Sequence, residues 1–314
     1  MASPPNSICD VPGILVGHAQ NDAAKTGCTV IFPEGGAVAG VDVRGSAPGT
    51  RELEAIKPVR LVSKIDAVLF SGGSAFGLAA ADGVQQYLEE RGIGFDAGVT
   101  HVPIVPTAVI FDLHDRDHTI RPDKEMGYAA AANAARSVVE GRAGAGRGAT
   151  VGKLLGREFC MKGGIGTACE MAGAVHVGAL VVVNAVGDIV DPETGAIIAG
   201  ARSRDGLGFL NCSDFARHGG RSPFSAPANT TLAAVATDAA LTKEEITKVA
   251  QMAQDGLARA IRPAHTPFDG DVVIALAVGT LAADVLTVGA VAAEVVATAI
   301  VRAVRVANSL VQPL

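Results

Sequence analysis

Short apolar runs separated by Gly, Pro and Asp dominate the chain, and only a few stretches carry the three-to-four-residue spacing of an amphipathic helix. Positions 27–32 and 67–70 are continuous apolar runs and predict buried strands. Positions 76–90 predict a helix with Phe76, Leu78, Ala79, Val84 and Leu88 on its buried side, ended by Gly92. A strand is predicted over 105–113 and an Ala-rich helix over 127–139. Positions 174–190 read as strand, broken between Asn184 and Asp188, and 232–236 as another. Thr242 followed three residues later by Glu245 is a helix-start signature, and Pro263 limits that helix to about Ile261. A strand over 272–278 and a long C-terminal helix complete the pattern. Strands and helices mix without a strict βαβ rhythm, so the expected fold class is a layered α/β or α+β domain.

Composition narrows this picture. The 314 residues are 49% hydrophobic and 18% charged, enough for a large buried core. The mean hydropathy of +0.34 prompts a search for membrane spans. Positions 282–307 are the strongest candidate, but Asp284, Glu294, Arg302 and Arg305 interrupt them, so a buried amphipathic helix and no membrane partner are expected. A net charge of −6, no Trp and 2 Tyr argue against a nucleic-acid partner. The N-terminal Met1-Ala2-Ser3-Pro4-Pro5 has no basic segment leading into an apolar run, so no signal peptide is expected. Five cysteines without a CxxC pair fit thiols used as small hydrophobes in a reducing compartment, and a cytoplasmic location is expected. No internal repeat stands out.

Several segments tempt a chemical reading. Positions 141–153 are Gly-rich and end in Lys153, but Gly148 is one residue too close to that lysine and Leu154 stands where a phosphate loop needs Ser or Thr. A segment that permits close backbone approach, with Lys153 able to reach a buried site, is expected instead. Asp112, His114, Asp115, Asp117 and His118 could ligate a metal, but a solvated turn of mixed charge around Arg116 is the simpler expectation. Ser74 in GGSAFGL lacks the second Gly of a nucleophile elbow and reads as the cap region of a helix. Asn229-Thr230-Thr231 and Asp269-Gly270-Asp271 each place polar residues where a strand begins. Either alone is an ordinary turn, and spacing cannot show that they converge.

Taken together, six segments carry a resemblance: GGSAFGL at 72–78, AVIFDL at 108–113, ATVGK at 149–153, VVVNAVGDIVD at 181–191, NTTLAAVATDA at 229–239 and HTPFDGD at 265–271. In order and spacing the chain resembles, over nearly its whole length, the self-processing N-terminal-nucleophile hydrolases that include the L-aminopeptidase D-amidase/esterases, the β-peptidyl aminopeptidases and the nylon-oligomer hydrolases. The nylon-oligomer branch looks closest, since it cleaves at Asn-Thr and carries paired acids at the positions of Asp269 and Asp271. The resemblance implies an αββα sandwich forming one catalytic domain over 1–314. It implies self-cleavage between Asn229 and Thr230 into a large subunit, 1–229, and a small subunit, 230–314, which stay together and assemble as a homo-oligomer, commonly a tetramer of cleaved heterodimers. By the same matching, Lys153 and Asn184 fall on the family's active-site lysine and asparagine. Gly72, Gly73 and Phe76 fall near the substrate, with Phe76 replacing a Tyr of the nylon hydrolases.

The implied chemistry is self-consistent. A Thr hydroxyl needs an adjacent base, and a freed Thr230 α-amine, with a reference pKa of about 7.7–8.0, supplies one within the same residue. Asp269 and Asp271 would orient the hydroxyl and amine, and Lys153 would oppose the upward shift that the carboxylates impose on the amine. Asn184, or less directly an N–H of the Gly72–Gly73 turn, would stabilise the oxyanion. No cofactor or metal is required. The expected activity is amide hydrolysis of a small linear amide or peptide, including 6-aminohexanoate oligomers. An acyltransferase of the ornithine acetyltransferase type and an uncleaved, inactive homologue are the alternatives, and Thr231 is the rival nucleophile.

Overall fold

A computed structural model describes residues 6–113, 117–220 and 229–309. In chain order its strands are β1 (Ile14–Asn21), β2 (Thr26–Pro33), β3 (Val38–Val43), β4 (Thr50–Arg51), β5 (Val68–Ser71), β6 (Phe95–Asp96), β7 (His101–Val102), β8 (Thr107–Val109), β9 (Thr150–Val151) and β10 (Met161–Lys162). They continue as β11 (Gly164–Ala172), β12 (Val175–Asn184), β13 (Asp188–Val190), β14 (Ile197–Ala199), β15 (Thr230–Ala239), β16 (Ile261–Arg262) and β17 (Val272–Leu281). The α-helices are α1 (Ala80–Glu89), α2 (Lys124–Ala132), α3 (Cys212–Arg217), α4 (Lys243–Ala260) and α5 (Val285–Ala307).

Two five-stranded sheets form the centre, one in the order β1-β2-β5-β8-β4 and the other β11-β12-β15-β17-β3. Their inner strands are largely apolar on both faces because both faces are covered. In the second sheet Leu180, Val182, Leu232, Ala234, Val272 and Ile274 point at the first sheet and meet Val16, Ile31, Val68 and Phe70. The alternate residues Val181, Val183, Ala233, Val235, Val273 and Ala275 point the other way and are covered by α4 and α5. The outer face of the first sheet, through Cys28, Val30 and Leu69, is covered by Ala80, Ala81 and Val84 of α1 and by Ala130 and Ala131 of α2. The result is the expected αββα layering, with the period-2 alternation hidden in sequence because neither side faces water.

The strands over 27–32, 67–70, 174–190, 232–236 and 272–278 are all present, most extended by a few residues. The Thr242 cap is a full capping box: Thr242 accepts from the Glu245 N–H and Glu245 accepts from the Thr242 N–H at 2.8 Å. α5 has its Asp284 side chain accepting the Thr287 N–H, and most of its length is buried against α4 and β11, so the most hydrophobic helix is a core helix. Three expectations change. The helix over 76–90 begins as a 3-10 turn, Ser74–Ala79, which rotates Phe76 and Ala79 to the surface and leaves the buried face to Ala80, Ala81, Val84 and Leu88. The Ala-rich helix starts earlier, where Asp123 accepts the Met126 N–H, and stops at Asn133, after which Ala135 pairs with Val16. The strand over 105–113 is regular only at Thr107–Val109.

Candidate active site

The Gly-rich segment at 141–153 behaves as close-packing backbone. A Cβ on Gly152 would stand 2.0 Å from the Ala201 backbone N, and one on Gly146 would stand 2.7 Å from the Gly164 carbonyl carbon. Such contacts draw the chain down to Lys153, whose Nζ bonds the Asn184 backbone O at 2.9 Å and its side-chain Oδ1 at 2.8 Å. The same Oδ1 accepts the Thr150 N–H at 3.1 Å, and Asn184 Nδ2 donates to the Phe111 O at 3.2 Å. Asn184 is therefore oriented on both ends of its amide, with one N–H of its NH₂ group beyond the Phe111 bond.

Asn184 is the last residue of β12 and stands directly across from Thr230, the first of β15. By strand alternation both side chains share the intersheet face with Val182 and Leu232, whereas Thr231 shares the helix-covered face with Ala233. Thr230 is buried, and its hydroxyl donates to the carbonyl oxygen of the preceding residue, Asn229. That carbonyl also accepts the Gly270 N–H at 3.0 Å, and Asn229 bridges in parallel to Asp269. Gly270 has to be Gly here: a Cβ would lie 2.9 Å from Thr230 Oγ1 and 2.5 Å from the Ala47 O.

Asp269 and Asp271 flank this glycine and are 1% and 2% exposed, far below ordinary carboxylates. Asp269 accepts from the Val186 N–H at 3.3 Å, the Thr266 N–H at 3.2 Å and the Thr266 hydroxyl. Burial pushes its pKa up to about 6, aided by the neighbouring Asp271, while Thr266, Val186 and Lys153 pull the other way. Burial likewise brings Lys153 down to about 8, although Cys160, Asp269 and Asp112 favour its charge. Asp271 accepts the Thr231 N–H at 2.7 Å on one oxygen, and the His265 N–H at 3.1 Å and ring Nδ1 at 2.9 Å on the other.

The structure thus brings Lys153, Asn184, Asn229, Thr230, Asp269 and Asp271 into one connected cluster. The Gly72–Gly73 turn is differently engaged: the Gly72 N–H bonds the Gly27 O at 2.8 Å and the Gly73 N–H bonds Asp112 Oδ1 at 2.7 Å. Phe76 is 57% exposed, with the Arg121 guanidinium 3.6 Å above its ring. Asp112 departs from the solvated turn expected of it. Its carboxyl is packed against Gly72 and Gly148, and burial raises its pKa. Asp117 and His118 are exposed as expected, while His114, Asp115 and Arg116 lie outside the described residues, as do Met1–Pro5 and the positions 221–228 leading to Asn229. Among the described residues no group of three His, Cys, Asp or Glu is placed to hold a metal ion. Sequence reasoning gave no role to His265, Thr266 or the Gly270 N–H. The HTPFDGD run contains all three, but nothing in it announces a histidine at φ +52° folding back on an aspartate.

Comparison with known proteins places the chain in a family. Residues 6–313 match peptidase family S58. An uncharacterised aminopeptidase of Mycobacterium tuberculosis is 46% identical over 295 residues, covering 88% of this chain and 83% of the relative. A 6-aminohexanoate-oligomer endohydrolase of Paenarthrobacter ureafaciens is 32% identical over 274 residues, covering 85% and 73%. Among solved structures, a Burkholderia sp. beta-aminopeptidase superposes with a TM-score of 0.69 at 27% identity, covering 96% of this chain and 87% of that one. The L-aminopeptidase D-Ala-esterase/amidase of Ochrobactrum anthropi, described as a variant of the Ntn hydrolase fold, gives 0.70 at 20% identity over 96% and 86%, a likeness of fold. On the match over nearly its full length and on these relatives, the chain belongs to peptidase family S58 and is a hydrolase acting on amide bonds.

Proposed function

We propose that the protein is a self-processing amidohydrolase whose nucleophile is Thr230, freed as an N-terminus by cleavage after Asn229. The observation that carries this reading is the contact of the Thr230 hydroxyl with the Asn229 carbonyl, held at the same time by the Gly270 N–H at 3.0 Å. A rotation of the hydroxyl toward the carbonyl carbon begins an N-to-O acyl shift. Thr230 Oγ1 bonds to that carbon, the Asn229–Thr230 C–N bond breaks as nitrogen takes a proton, and water hydrolyses the resulting ester. The Gly270 N–H is the donor placed on the developing oxyanion. In this reading Asp269, whose backbone bridges to Asn229 and which is ionised above about pH 6, takes the hydroxyl proton, and Lys153 favours its ionised form.

After cleavage the Thr230 amine becomes the base for its own hydroxyl, with little orientational entropy to lose. Turnover follows the same course on an external amide: the acyl group passes to Thr230, the amine leaves, and water releases the acid. The spare N–H of Asn184, directly across from Thr230, supports the oxyanion role there. Substrates are short linear amides, either peptides with a free N-terminal amine or ω-amino-acid oligomers. The names of the beta-aminopeptidase and the 6-aminohexanoate-oligomer endohydrolase among the relatives support this class. Cleaved heterodimers associate into a homo-oligomer. Five free cysteines support a reducing, cytoplasmic setting.

Intact-mass spectrometry of the purified protein tests the reading, with Thr230→Ala as control. Fragments of about 23 and 8.5 kDa, the smaller beginning at Thr230, are expected from the wild type, and a single 31.6 kDa chain from the variant. A small fragment starting at Thr231, or an uncut wild type, refutes it.

A further inference from the structure

The geometry points to His265 as a positioning residue that fixes the Asp271 carboxylate and, through it, the start of the strand carrying Thr230. The inference rests on the reading of Thr230 as nucleophile. Asp271 is held by three donors, and two of them belong to His265: the backbone N–H at 3.1 Å and the ring Nδ1 at 2.9 Å, both on Oδ2. The third is the Thr231 N–H, 2.7 Å from Oδ1. One carboxylate therefore ties the HTPFDGD loop to the peptide that immediately follows the nucleophile.

The other ring nitrogen, Nε2, is buried with no hydrogen-bond partner among the described residues. His265 also sits at φ +52°, the left-handed region that few residues other than glycine adopt without strain. A strained backbone and an unsatisfied ring nitrogen at one residue are both unfavourable for folding alone. Their coincidence beside the nucleophile argues for a function that over-determines them. With the ring removed, Oδ2 retains one backbone N–H, the carboxylate gains freedom about its Cα–Cβ and Cβ–Cγ bonds, and the hold on Thr231 loosens. The hydroxyl of Thr230 then spends less time aligned with a carbonyl.

Two variants separate this role from a merely structural one. His265→Asn and His265→Gly both accept a left-handed backbone, so neither adds strain. Asn restores an N–H donor close to where Nδ1–H stood, and Gly does not. Self-processing is followed by timed mass spectrometry of freshly translated chains. The matured proteins are assayed with an alanine p-nitroanilide, and circular dichroism checks that each is folded. The Gly variant is expected to process about tenfold or more slowly than wild type and the Asn variant within about threefold of it, because a small misalignment of reacting atoms is costly. In the matured enzyme the Gly variant loses kcat with KM held within about twofold, and Asn recovers most of the loss. Wild-type processing and kcat in a folded Gly variant overturn the proposal, as does an Asn variant as slow as Gly. Failure of the underlying reading looks different: the wild-type chain itself stays uncut, and the role of His265 falls with it.

Discussion

Lys153 carries a cation where burial works against the charge, and Asp269 carries an anion under the same penalty. Each is the other's compensation: Asp269 favours the charged lysine and Lys153 favours the ionised aspartate. The pair is charged on both members between about pH 6 and about pH 8. Below that window Asp269 takes a proton and can no longer serve as the base proposed for the Thr230 hydroxyl. Above it Lys153 is neutral. Self-processing of freshly translated chain, timed by mass spectrometry across pH, is therefore expected to rise through about pH 6 and fall through about pH 8. In Lys153→Met the cation that lowers the Asp269 pKa is gone. The acid limb then moves to higher pH, and the maximal rate falls by about a hundredfold. A variant whose acid limb stays in place shows that Lys153 does not act on Asp269.

At the scale of elements, the site exists because β12 ends and β15 begins at the same level, so that Asn184 and Thr230 face each other across one ladder. That level is held by the fit of the second sheet against α5. Gly166 of β11 is central to the fit: a Cβ there would stand 2.0 Å from the Ala299 O and 2.6 Å from the Ala303 N of the helix. Its backbone is not left-handed, so the constraint is one of space alone. Gly166→Ala must push helix and sheet apart and is expected to cost about 1–3 kcal/mol. Urea unfolding of the uncleaved Thr230→Ala chain, with and without this change, measures it as a lower midpoint at unchanged slope. An unchanged midpoint shows that the helix shifts at no cost.

At the scale of the whole molecule, the proposed cleavage after Asn229 would divide the sequence but not the sheet. β15 and β17, both downstream of the cut, lie side by side in the second sheet, with β12 on one flank and β3 on the other, both upstream. α4 and α5, also downstream, cover a core shared with Val177, Val181 and Val183 of β12. The two fragments of the proposed cleavage would therefore hold each other by three strand ladders, β12–β15, β3–β17 and β13–β16, and a continuous apolar layer. They are expected to co-elute in equal amounts from a sizing column in native buffer and to part only in denaturant. Separation in native buffer contradicts this.

The order of apolar runs determined the elements, and the alternating faces of a doubly covered sheet follow from their lack of polar positions. The Thr242 capping box and the end of α4 near Pro263 were local signals and were legible. The motifs carrying Lys153, Asn184, Thr230, Asp269 and Asp271 were legible as a set, through their resemblance to a family, though not one by one. Local pattern failed where a non-local contact decided the geometry. The turn at Ser74–Ala79 winds as a 3-10 helix and exposes Phe76, and Asp112 turns inward to meet the Gly73 N–H. The convergence of residues 153, 184, 230 and 269–271 belongs to tertiary structure alone, as does the grip of His265 on Asp271. Hydrogen-bond geometry and burial depend on chain segments far apart in sequence, and side-chain chemistry at each position specifies what it can bond, not what will be brought to it.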